Sequence, residues 1–184
     1  MKHIILAGCG RCGKTTLSLR LRQLGFTHYK MDSIKRGIDR NFWDEYQSDW
    51  RLVSPHMSKL IHRIISETQT DIIKDKEYYV IDTCHVYPSD LLKYYFKDTI
   101  IIFIGFPTTT VEKKFKEIRK YDKDVWTNKR TDEQVKLDTK LSIEYSIDAK
   151  EECEKLGIKF FDVSNDFQNV IDEIYKYILS ELGK

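Results

Sequence analysis

Eight consecutive residues near the start of the chain combine glycines, a lysine and a hydroxyl in a spacing typical of phosphate binding. Residues 8–15 read GCGRCGKT and fit the pattern G-x-x-x-x-G-K-[ST]. Gly8 and Gly13 permit backbone angles that a Cβ would hinder, so the loop N–H groups can form an anion nest at a helix N-terminus. Lys14 can place its charge on the β- and γ-phosphates of ATP, and the Thr15 hydroxyl can ligate Mg²⁺.

The segments on either side of this loop support the same interpretation. The apolar run 4–7 (IILA) precedes it and is short enough for a buried strand. Segment 16–24 follows with leucines at helical spacing, and Gly25 is a typical helix end. The residues that we predict to contact the ATP phosphates are Gly8, Cys9, Gly10, Arg11, Cys12, Gly13, Lys14, Thr15 and Thr16.

Two cysteines of the loop also form a C-x-x-C pair, which is typical of redox or zinc sites. Cys9 and Cys12 occupy variable positions of the phosphate-binding pattern. The sequence has no second C-x-x-C and no H-x-x-H that would complete a zinc site. We therefore interpret both as loop residues, and redox or metal chemistry is the weaker alternative.

Two aspartates follow apolar runs and are candidates for the chemistry. Asp82 closes the run 78–82 (YYVID) in a Walker B-like pattern, where it can hold Mg²⁺ through water or orient the attacking group. Asp32 lies at the end of a predicted strand over 26–31 and can accept the proton of a substrate hydroxyl. Aspartate is also common in turns and helix caps, so a structural role stays open for both.

Basic and aromatic side chains follow Asp32. Lys35, Arg36 and Arg40 could bind an acidic group of the acceptor, or they could form a solvated helix face. His85, three residues after Asp82, could contact the acceptor as well, although a lone histidine is usually structural. Aromatic side chains that could stack on a base or sugar, or belong to the core, are Phe42, Trp43, Tyr46 and Trp50.

A charged loop after the most apolar run of the chain is a candidate lid over residues 119–131. An arginine such as Arg119 that closes on the phosphates would stabilise transition-state charge. The alternative is a set of exposed charges at helix ends. The basic residues of this segment are Arg119, Lys120, Lys129 and Arg130.

The composition favours one water-soluble globular domain over residues 1–184, with 41% hydrophobic and 33% charged residues. The formal net charge of +2 gives no global field that favours nucleic acid or a membrane. No apolar run reaches the ~18 residues that a membrane helix needs, and the start of the chain does not resemble a signal peptide. We therefore expect a cytoplasmic protein.

Apolar runs alternate with helical patterns along the chain, which predicts an α/β fold with a doubly wound parallel sheet. In such sheets ligands bind beyond the carboxyl ends of the strands, where the loop 8–15, Asp32 and Asp82 all lie. Further strands are predicted at 99–106 and 158–163. Further helices are predicted from Pro55 onward and at 91–96, 110–120, 132–156 and 167–182.

The order of these features resembles the small P-loop kinases, which include nucleoside monophosphate, shikimate and gluconate kinases. The resemblance spans essentially the whole chain, but only the loop is a specific motif. It implies a three-layer P-loop NTPase fold with a five-stranded parallel sheet of order 2-3-1-4-5. It also implies an acceptor-binding excursion at about 33–75 and a lid. The features that carry it are the loop 8–15, Asp32, Ile81-Asp82, the run 101–107, Arg119 and the segment 161–164 (FDVS).

The resemblance assigns roles and also has departures. Asp32 corresponds to the aspartate that shikimate kinase-like enzymes place on the acceptor hydroxyl, Arg119 resembles a lid arginine, and Asn165 lies where the family often seats adenine. Arg11, however, stands where monophosphate kinases usually have glycine. Asp82 is followed by Thr-Cys-His and not by the Gly-φ-Pro-Arg that binds an acceptor nucleotide.

We therefore expect an ATP- and Mg²⁺-dependent kinase that phosphorylates a hydroxyl or phosphate of a small molecule or nucleotide, and the departures favour a hydroxyl. One alternative is a polynucleotide 5′-hydroxyl kinase, because Asp32 with Lys35 or Arg36 resembles that group, although nucleic acid is not the favoured partner. The other is a regulatory GTPase or a nucleotide-binding NTPase module without phosphoryl transfer. The guanine-reading pattern Asn-Lys-x-Asp is not met at 128–132, where the aspartate comes one position late.

Overall fold

A five-stranded, all-parallel β-sheet forms the centre of the computed structural model, which describes residues 2–37, 49–67, 77–122 and 125–184. The strand order is β2-β3-β1-β4-β5, which confirms the predicted order 2-3-1-4-5. The strands are β1 (His3–Gly8), β2 (Thr27–Lys30), β3 (Tyr79–Thr83), β4 (Thr99–Gly105) and β5 (Lys159–Asp162).

Helices connect the strands and flank the sheet, as the doubly wound arrangement requires. Among the described helices none is long and apolar enough to cross a membrane. The helices are α1 (Lys14–Arg22), α2 (Met31–Gly37), α3 (Trp50–Glu67), α4 (Pro88–Leu91), α5 (Val111–Tyr121), α6 (Val125–Asn128), α7 (Asp132–Leu156) and α8 (Phe167–Glu181).

The register of the sheet brings the carboxyl ends of the inner strands together. Ala7 pairs with Thr83 on β3, and Gly8 pairs with Ile104 on β4. β1 and β3 are buried along their whole length, because helices cover both faces of a parallel sheet. The loop 8–15 and the residues that follow β2 and β3 therefore meet at one edge.

Three predicted boundaries are wrong, each for a local reason. Strand β2 ends at Lys30, and helix α2 begins directly at Met31. Helix α3 begins at Trp50 and not at Pro55; Pro55 is its sixth residue, where the missing N–H removes one early intrahelical hydrogen bond. The helix predicted at 91–96 is the short helix α4 instead, which starts at Pro88 because proline suits a first helical turn.

The segment after β4 also contains more structure than predicted. Helix α6 lies inside the interval 121–131 that the sequence suggests is a loop. Helix α7 spans Asp132–Leu156 as predicted, and Thr131 with Gln134 forms a capping box at its start. Gly157 ends it in the left-handed region at φ 69°.

Candidate active site

The loop 8–15 leaves β1 and enters α1 through backbone angles that suit glycine. Gly8 has φ 143° and Gly13 has φ 96°. A Cβ at Gly8 would lie 1.9 Å from the carbonyl oxygen of Ile104 on the neighbouring strand. A Cβ at Gly13 would lie 2.4 Å from Ile171 Cδ1 on α8. Gly8 is therefore required by the neighbouring strand as well as by its backbone conformation, whereas Gly13 is required by its backbone conformation, because the Ile171 side chain can shift.

The ammonium group of Lys14 folds back onto the loop that precedes it. Its Nζ donates to the carbonyl oxygen of Cys9 at 2.5 Å and lies 3.6 Å from Cys12 Sγ. Burial by itself lowers the pKa of Lys14, but Cys12, Cys84 and Asp82 outweigh burial and hold that pKa well above its usual value. Lys14 is therefore charged near neutral pH, at the first residue of α1.

The Thr15 hydroxyl contacts the carboxylate predicted to hold the metal. Thr15 Oγ1 donates to Asp82 Oδ2 at 2.7 Å. The Nε2 atom of His28 on β2 lies 3.7 Å from the same oxygen. Burial lowers the pKa of His28 although Asp82 opposes the change, so the imidazole is mostly neutral near pH 7.

The donor set around Thr15 fits Mg²⁺. Mg²⁺ prefers oxygen ligands and is usually held by one or two protein groups together with waters and phosphate oxygens. Thr15 is exposed, whereas Asp82 is buried at the adjoining strand end, so a hydroxyl and a carboxylate face one another at the predicted position. Within the described ranges there is no cluster of three His, Cys, Asp or Glu side chains that would hold a metal without other ligands.

Three polar atoms near the loop are buried without a hydrogen-bond partner among the described residues: His28 Nε2, Asp32 Oδ1 and His85 Nδ1. Asp32 lies in the first turn of α2, one strand away from β3. Burial, followed by the positive charges of Lys35 and Lys14, lowers the pKa of His85 to about 4, although Asp32 opposes the shift. Asp32 and His85 thus belong to one electrostatic cluster.

An aromatic side chain packs against His85 and is itself packed against a second one. The indole of Trp50, at the start of α3, meets the imidazole edge-to-face with ring centroids 4.8 Å apart. Trp50 also packs against Tyr145 of α7 at 4.5 Å, and the Tyr145 hydroxyl donates to the carbonyl oxygen of Val86. Trp50 therefore packs directly against His85. The sequence predicted Trp50 only as one of four aromatic side chains that could stack on a ligand or belong to the core.

The cysteines of the loop are packed inside it as free thiols. Cys12 Sγ donates to the carbonyl oxygen of Cys9 at 3.1 Å, and Ser146 Oγ lies 3.3 Å from Cys9 Sγ. Burial raises the pKa of Cys9. Burial also opposes ionisation of Cys12, yet its hydrogen bond with Cys9 and the charge of Lys14 lower the Cys12 pKa to about 7.

Arg11 joins the loop to the candidate lid. Its backbone adopts φ 61°, and its side chain is directed away from the nest. Arg11 Nε donates to Asp122 Oδ2 at 2.7 Å, and Nη2 donates to Thr127 Oγ1 at 2.7 Å. Thr127 Oγ1 in turn donates to Asp122 Oδ2 at 2.8 Å, which closes a three-membered network. The sequence placed Arg11 in the phosphate-binding set and gave no signal for this role.

Arg119 is engaged within the lid segment itself. Its guanidinium pairs with Asp132 at 2.6 Å and donates to the backbone carbonyls of Thr127 and Arg130 at 3.2 and 2.9 Å. Arg130 pairs with Asp138 at 3.1 Å. In this conformation Arg119 therefore ties α5 to the start of α7.

Asn165, where the resemblance places adenine, is hydrogen-bonded to a lysine side chain. Asn165 follows β5 and is exposed. Lys113 Nζ, from the first turn of α5, donates to Asn165 Oδ1 and to the carbonyl oxygen of Ser164, both at 2.9 Å. Asp162 accepts hydrogen bonds from the Ser164 side chain and from Thr108 Oγ1. Lys113 is a feature of this loop that the sequence pattern did not indicate.

Several predicted contacts lie outside the described residues. Arg40 and three of the four predicted aromatics fall within 38–48, and of the proposed excursion 33–75 the segments 38–48 and 68–75 lie outside the described residues. Of Arg36 only the backbone, in α2, is described. Two other predicted phosphate contacts, Gly10 and Thr16, are described. Thr16 is exposed, and no atom lies close to the position that a Cβ would take at Gly10.

The sheet order, the crossover helices and the loop between β1 and α1 define the P-loop NTPase fold, in the form found in small P-loop kinases. Shikimate kinase from Bacteroides thetaiotaomicron is similar over 100% of this chain and 99% of its own, with 14% identity and a TM-score of 0.51. Shikimate kinase from Acinetobacter baumannii, solved with shikimate, is similar over 98% and 94%, with 16% identity and a TM-score of 0.55. No protein-family model and no curated protein sequence matches the chain.

Proposed function

We propose that the protein is an ATP-dependent kinase that transfers the γ-phosphoryl group to a hydroxyl of a small molecule. The observation that supports this most is Asp32, which follows β2, the strand next to Asp82 on β3, and whose Oδ1 is buried and has no hydrogen-bond partner among the described residues. A module that only binds nucleotide needs the loop and the metal ligands. It has no use for a second carboxylate that is poised to accept a proton.

The chain's own residues then have distinct tasks. The loop N–H groups and Lys14 bind the phosphates and stabilise charge on the transferring group. Thr15 and Asp82 would hold Mg²⁺, which neutralises charge between the β- and γ-phosphates when bound. Asp32 takes the hydroxyl proton while the acceptor oxygen forms a bond to the γ-phosphorus. The bond from phosphorus to the β–γ bridging oxygen breaks, and ADP leaves with its electron pair.

The remaining predicted residues complete the proposal. We further propose that residues 33–75 are the acceptor-binding excursion, that Arg36 and Arg40 are acceptor contacts, and that residues 119–131 are the lid within one domain. For Arg119 to reach the phosphates, its pair with Asp132 must open, so lid closure exchanges one charge-assisted contact for another. Asn165 with Lys113 presents an amide and an ammonium at the adenine seat.

Two further functions remain as alternatives. A polynucleotide 5′-hydroxyl kinase would use the same Asp32 chemistry with a basic groove, for which the net charge of +2 gives little support. An NTPase module without transfer would hydrolyse or bind nucleotide at the same rate whether or not an acceptor is present.

The test is MgATP consumption measured against sugars, nucleosides, nucleotides and oligonucleotide 5′ ends, with Lys14→Ala as the inactive control. We expect ADP formation that depends on one class of small-molecule acceptor. ADP formation that no acceptor stimulates would contradict the kinase proposal, and stimulation by oligonucleotide ends alone would favour the polynucleotide kinase. A parallel panel of ATP and GTP separates a kinase from a guanine-specific GTPase.

A further inference from the structure

The turn at the start of the loop 8–15 carries a free thiol at each end. The chain turns at Gly10 and Arg11, and Arg11 has φ 61°; a positive φ at the third position is characteristic of type II turns. Cys9 and Cys12 are the first and fourth residues of this turn, so their Cα atoms lie closer than about 7 Å. Disulfide-bonded cysteines usually have Cα atoms about 4.4–6.8 Å apart. The backbone therefore brings the two cysteines to the separation that a disulfide bond needs.

The Cys12 thiol has contacts that an inert core cysteine lacks. Its Sγ donates to the carbonyl oxygen of Cys9 at 3.1 Å and lies 3.6 Å from Lys14 Nζ. Cys12 also directly precedes Gly13, the N-cap residue of α1, where the helix dipole favours negative charge. A neighbouring ammonium group, a helix N-terminus and a C-x-x-C pattern each stabilise a thiolate. Cys12 is therefore the nucleophile of the pair, which the sequence alone did not indicate.

Cys9 has the surroundings of a second, protonated thiol. Its Sγ accepts a hydrogen bond from Ser146 Oγ of α7 at 3.3 Å, and burial raises its pKa. Both thiols are buried, whereas Gly10, Arg11 and Gly13 beside them are only half-buried. A small oxidant can therefore reach Cys12 through a local displacement of the turn, without unfolding of the core.

We propose that Cys9 and Cys12 form a reversible disulfide that weakens nucleotide binding at the loop 8–15, with hydrogen peroxide as the oxidant. The Cys12 thiolate attacks one peroxide oxygen: an S–O bond forms, the O–O bond breaks, and the departing hydroxide takes up a proton to become water. The Cys9 thiol then attacks Cys12 Sγ: an S–S bond forms, the S–O bond breaks, and the hydroxide leaves as water with the Cys9 proton. The two sulfurs are oxidised by two electrons in total, and the peroxide is reduced to two waters.

The disulfide would change the two groups that the proposed nucleotide site uses at this turn. The Cys9 carbonyl that accepts from Cys12 also accepts from Lys14 Nζ at 2.5 Å, so the position of the ammonium group depends on the geometry of the turn. The N–H groups of the same turn belong to the anion nest. Closing a disulfide across the turn therefore disturbs both sets of phosphate contacts. The inference needs nucleotide binding at this loop and does not need phosphoryl transfer.

The first measurement detects the bond itself, because trypsin cuts after Arg11, between the two cysteines. Digestion of the dithiol form releases peptides 3–11 (HIILAGCGR) and 12–14 (CGK) separately. The full-length protein is treated with hydrogen peroxide, alkylated under denaturing conditions, digested and mapped by mass spectrometry with and without dithiothreitol. We expect the two peptides to be linked after peroxide treatment and to separate after reduction. Two thiols that remain open to alkylation would overturn the proposal, as would a bond from Cys12 to Cys84.

The second measurement is titration of the reduced and the oxidised protein with a fluorescent ATP analogue. We expect Kd to be about 10- to 100-fold higher in the oxidised protein, the effect of losing a charge-assisted hydrogen bond, and to recover with dithiothreitol. Cys153→Ala removes a buried thiol of α7 and should respond to peroxide as the parent does. Cys12→Ala should show the same Kd before and after peroxide. Equal Kd values for the linked and the reduced parent would overturn the proposal, as would a peroxide effect that persists in Cys12→Ala.

Thermodynamic linkage gives a third measurement that needs only the parent protein. If the disulfide weakens nucleotide binding by some factor, bound nucleotide must favour the dithiol over the disulfide by the same factor. The linked fraction is measured in a buffer of oxidised and reduced dithiothreitol, with and without a saturating non-hydrolysable ATP analogue. A linked fraction that nucleotide does not change would overturn the proposal. None of these measurements uses an acceptor, so a failed kinase assay contradicts the proposed function alone, and a reduced protein that binds no nucleotide contradicts both.

Discussion

Arg11, in the loop 8–15, donates through Nε to the carboxylate of Asp122 at 2.7 Å. Asp122 is the C-cap residue of α5. The same guanidinium reaches Thr127 in α6. The contact is only about one-fifth exposed on either side, with side-chain exposures of 23% and 20%. The loop 8–15 and the segment proposed as the lid are thus directly joined by hydrogen bonds.

The first prediction concerns this joint. Arg11→Ala removes the guanidinium and leaves Asp122 and Thr127 without it, so we expect a loss of about 1–3 kcal/mol in the free energy of unfolding. Arg11→Gly should lose less, because glycine also relieves the positive φ. Urea denaturation of both variants measures the difference. Hydrogen exchange at residues 119–131 should be faster than in the parent, and protection equal to that of the parent would contradict the joint.

The second prediction concerns Lys14. Lys14→Ala should fold and should lower turnover by orders of magnitude, because Lys14 supplies the charge that meets the transferring phosphoryl group. Its contact with the Cys9 carbonyl is lost, so a modest fall in Tm is expected. Lys155→Ala, an exposed lysine near the end of α7 and outside the candidate lid, is the matched control and should keep full activity. A folded Lys14→Ala protein with near-normal turnover would refute the catalytic assignment.

The third prediction concerns the metal position. Thr15→Val and Asp82→Asn should both raise the Mg²⁺ concentration needed for half-maximal activity, since each removes an oxygen ligand or its orienting partner. Thr15→Ser keeps the hydroxyl and is the matched control. Titration of activity with Mg²⁺ at fixed ATP checks the shift. An unchanged Mg²⁺ requirement in Asp82→Asn would show that this carboxylate serves the fold alone.

The part of the site that the sequence predicted is the part made by one short segment. Loop 8–15 is contiguous, so its pattern specifies both its conformation and its chemistry. The parallel sheet followed from the alternation of strands and helices, and its strand order followed from the resemblance alone. Arg11–Asp122 and Trp50–His85 join residues far apart in the chain, and no local pattern records which of many charges or aromatics will meet. Nothing in the sequence distinguishes His28 from other strand residues, because only the register between β2 and β3 brings it beside Asp82.

The fourth prediction uses the lowered pKa of His85. In the unfolded chain a histidine takes up its proton near pH 6.5, whereas His85 in the folded protein does so only near pH 4. Between those values the unfolded state binds more protons, so stability falls as the pH drops from 6.5 to 4. The full shift corresponds to about 3 kcal/mol, which the partial exposure of His85 reduces.

The measurement that isolates this effect is the difference between the parent and His85→Asn in urea denaturation at pH 7.5, 5.5 and 4.5. The parent should lose stability relative to His85→Asn as the pH falls, because asparagine does not titrate. His3 and His28 also have lowered pKa values, but both variants contain them and their contribution cancels. Parallel pH profiles for the two proteins would mean that His85 is not held neutral by its surroundings.

The fifth prediction separates a kinase from a binding module and concerns Asp32. Asp32→Asn keeps the shape of the side chain and removes the base. In the proposed site MgATP contacts the loop, Lys14 and Thr15 and not Asp32, so its affinity should stay within a few-fold. Phosphoryl transfer should fall by roughly 10²–10⁴, which is the usual effect of removing a positioned general base. Glu173→Gln, an exposed carboxylate on α8, is the matched control and should change neither quantity.

Each alternative role of Asp32 gives a different pair of results in the same experiment, a fluorescent ATP analogue titrated beside a turnover assay. A metal ligand would weaken Mg²⁺-dependent nucleotide binding together with transfer. A residue that only stabilises the first turn of α2 would lower the free energy of unfolding by about 0.5–2 kcal/mol and leave transfer nearly unchanged. If transfer in Asp32→Asn stays close to that of the parent, Asp32 is not the base. Asp82, a buried carboxylate at the same edge of the sheet, then becomes the candidate to test by the same pair of measurements.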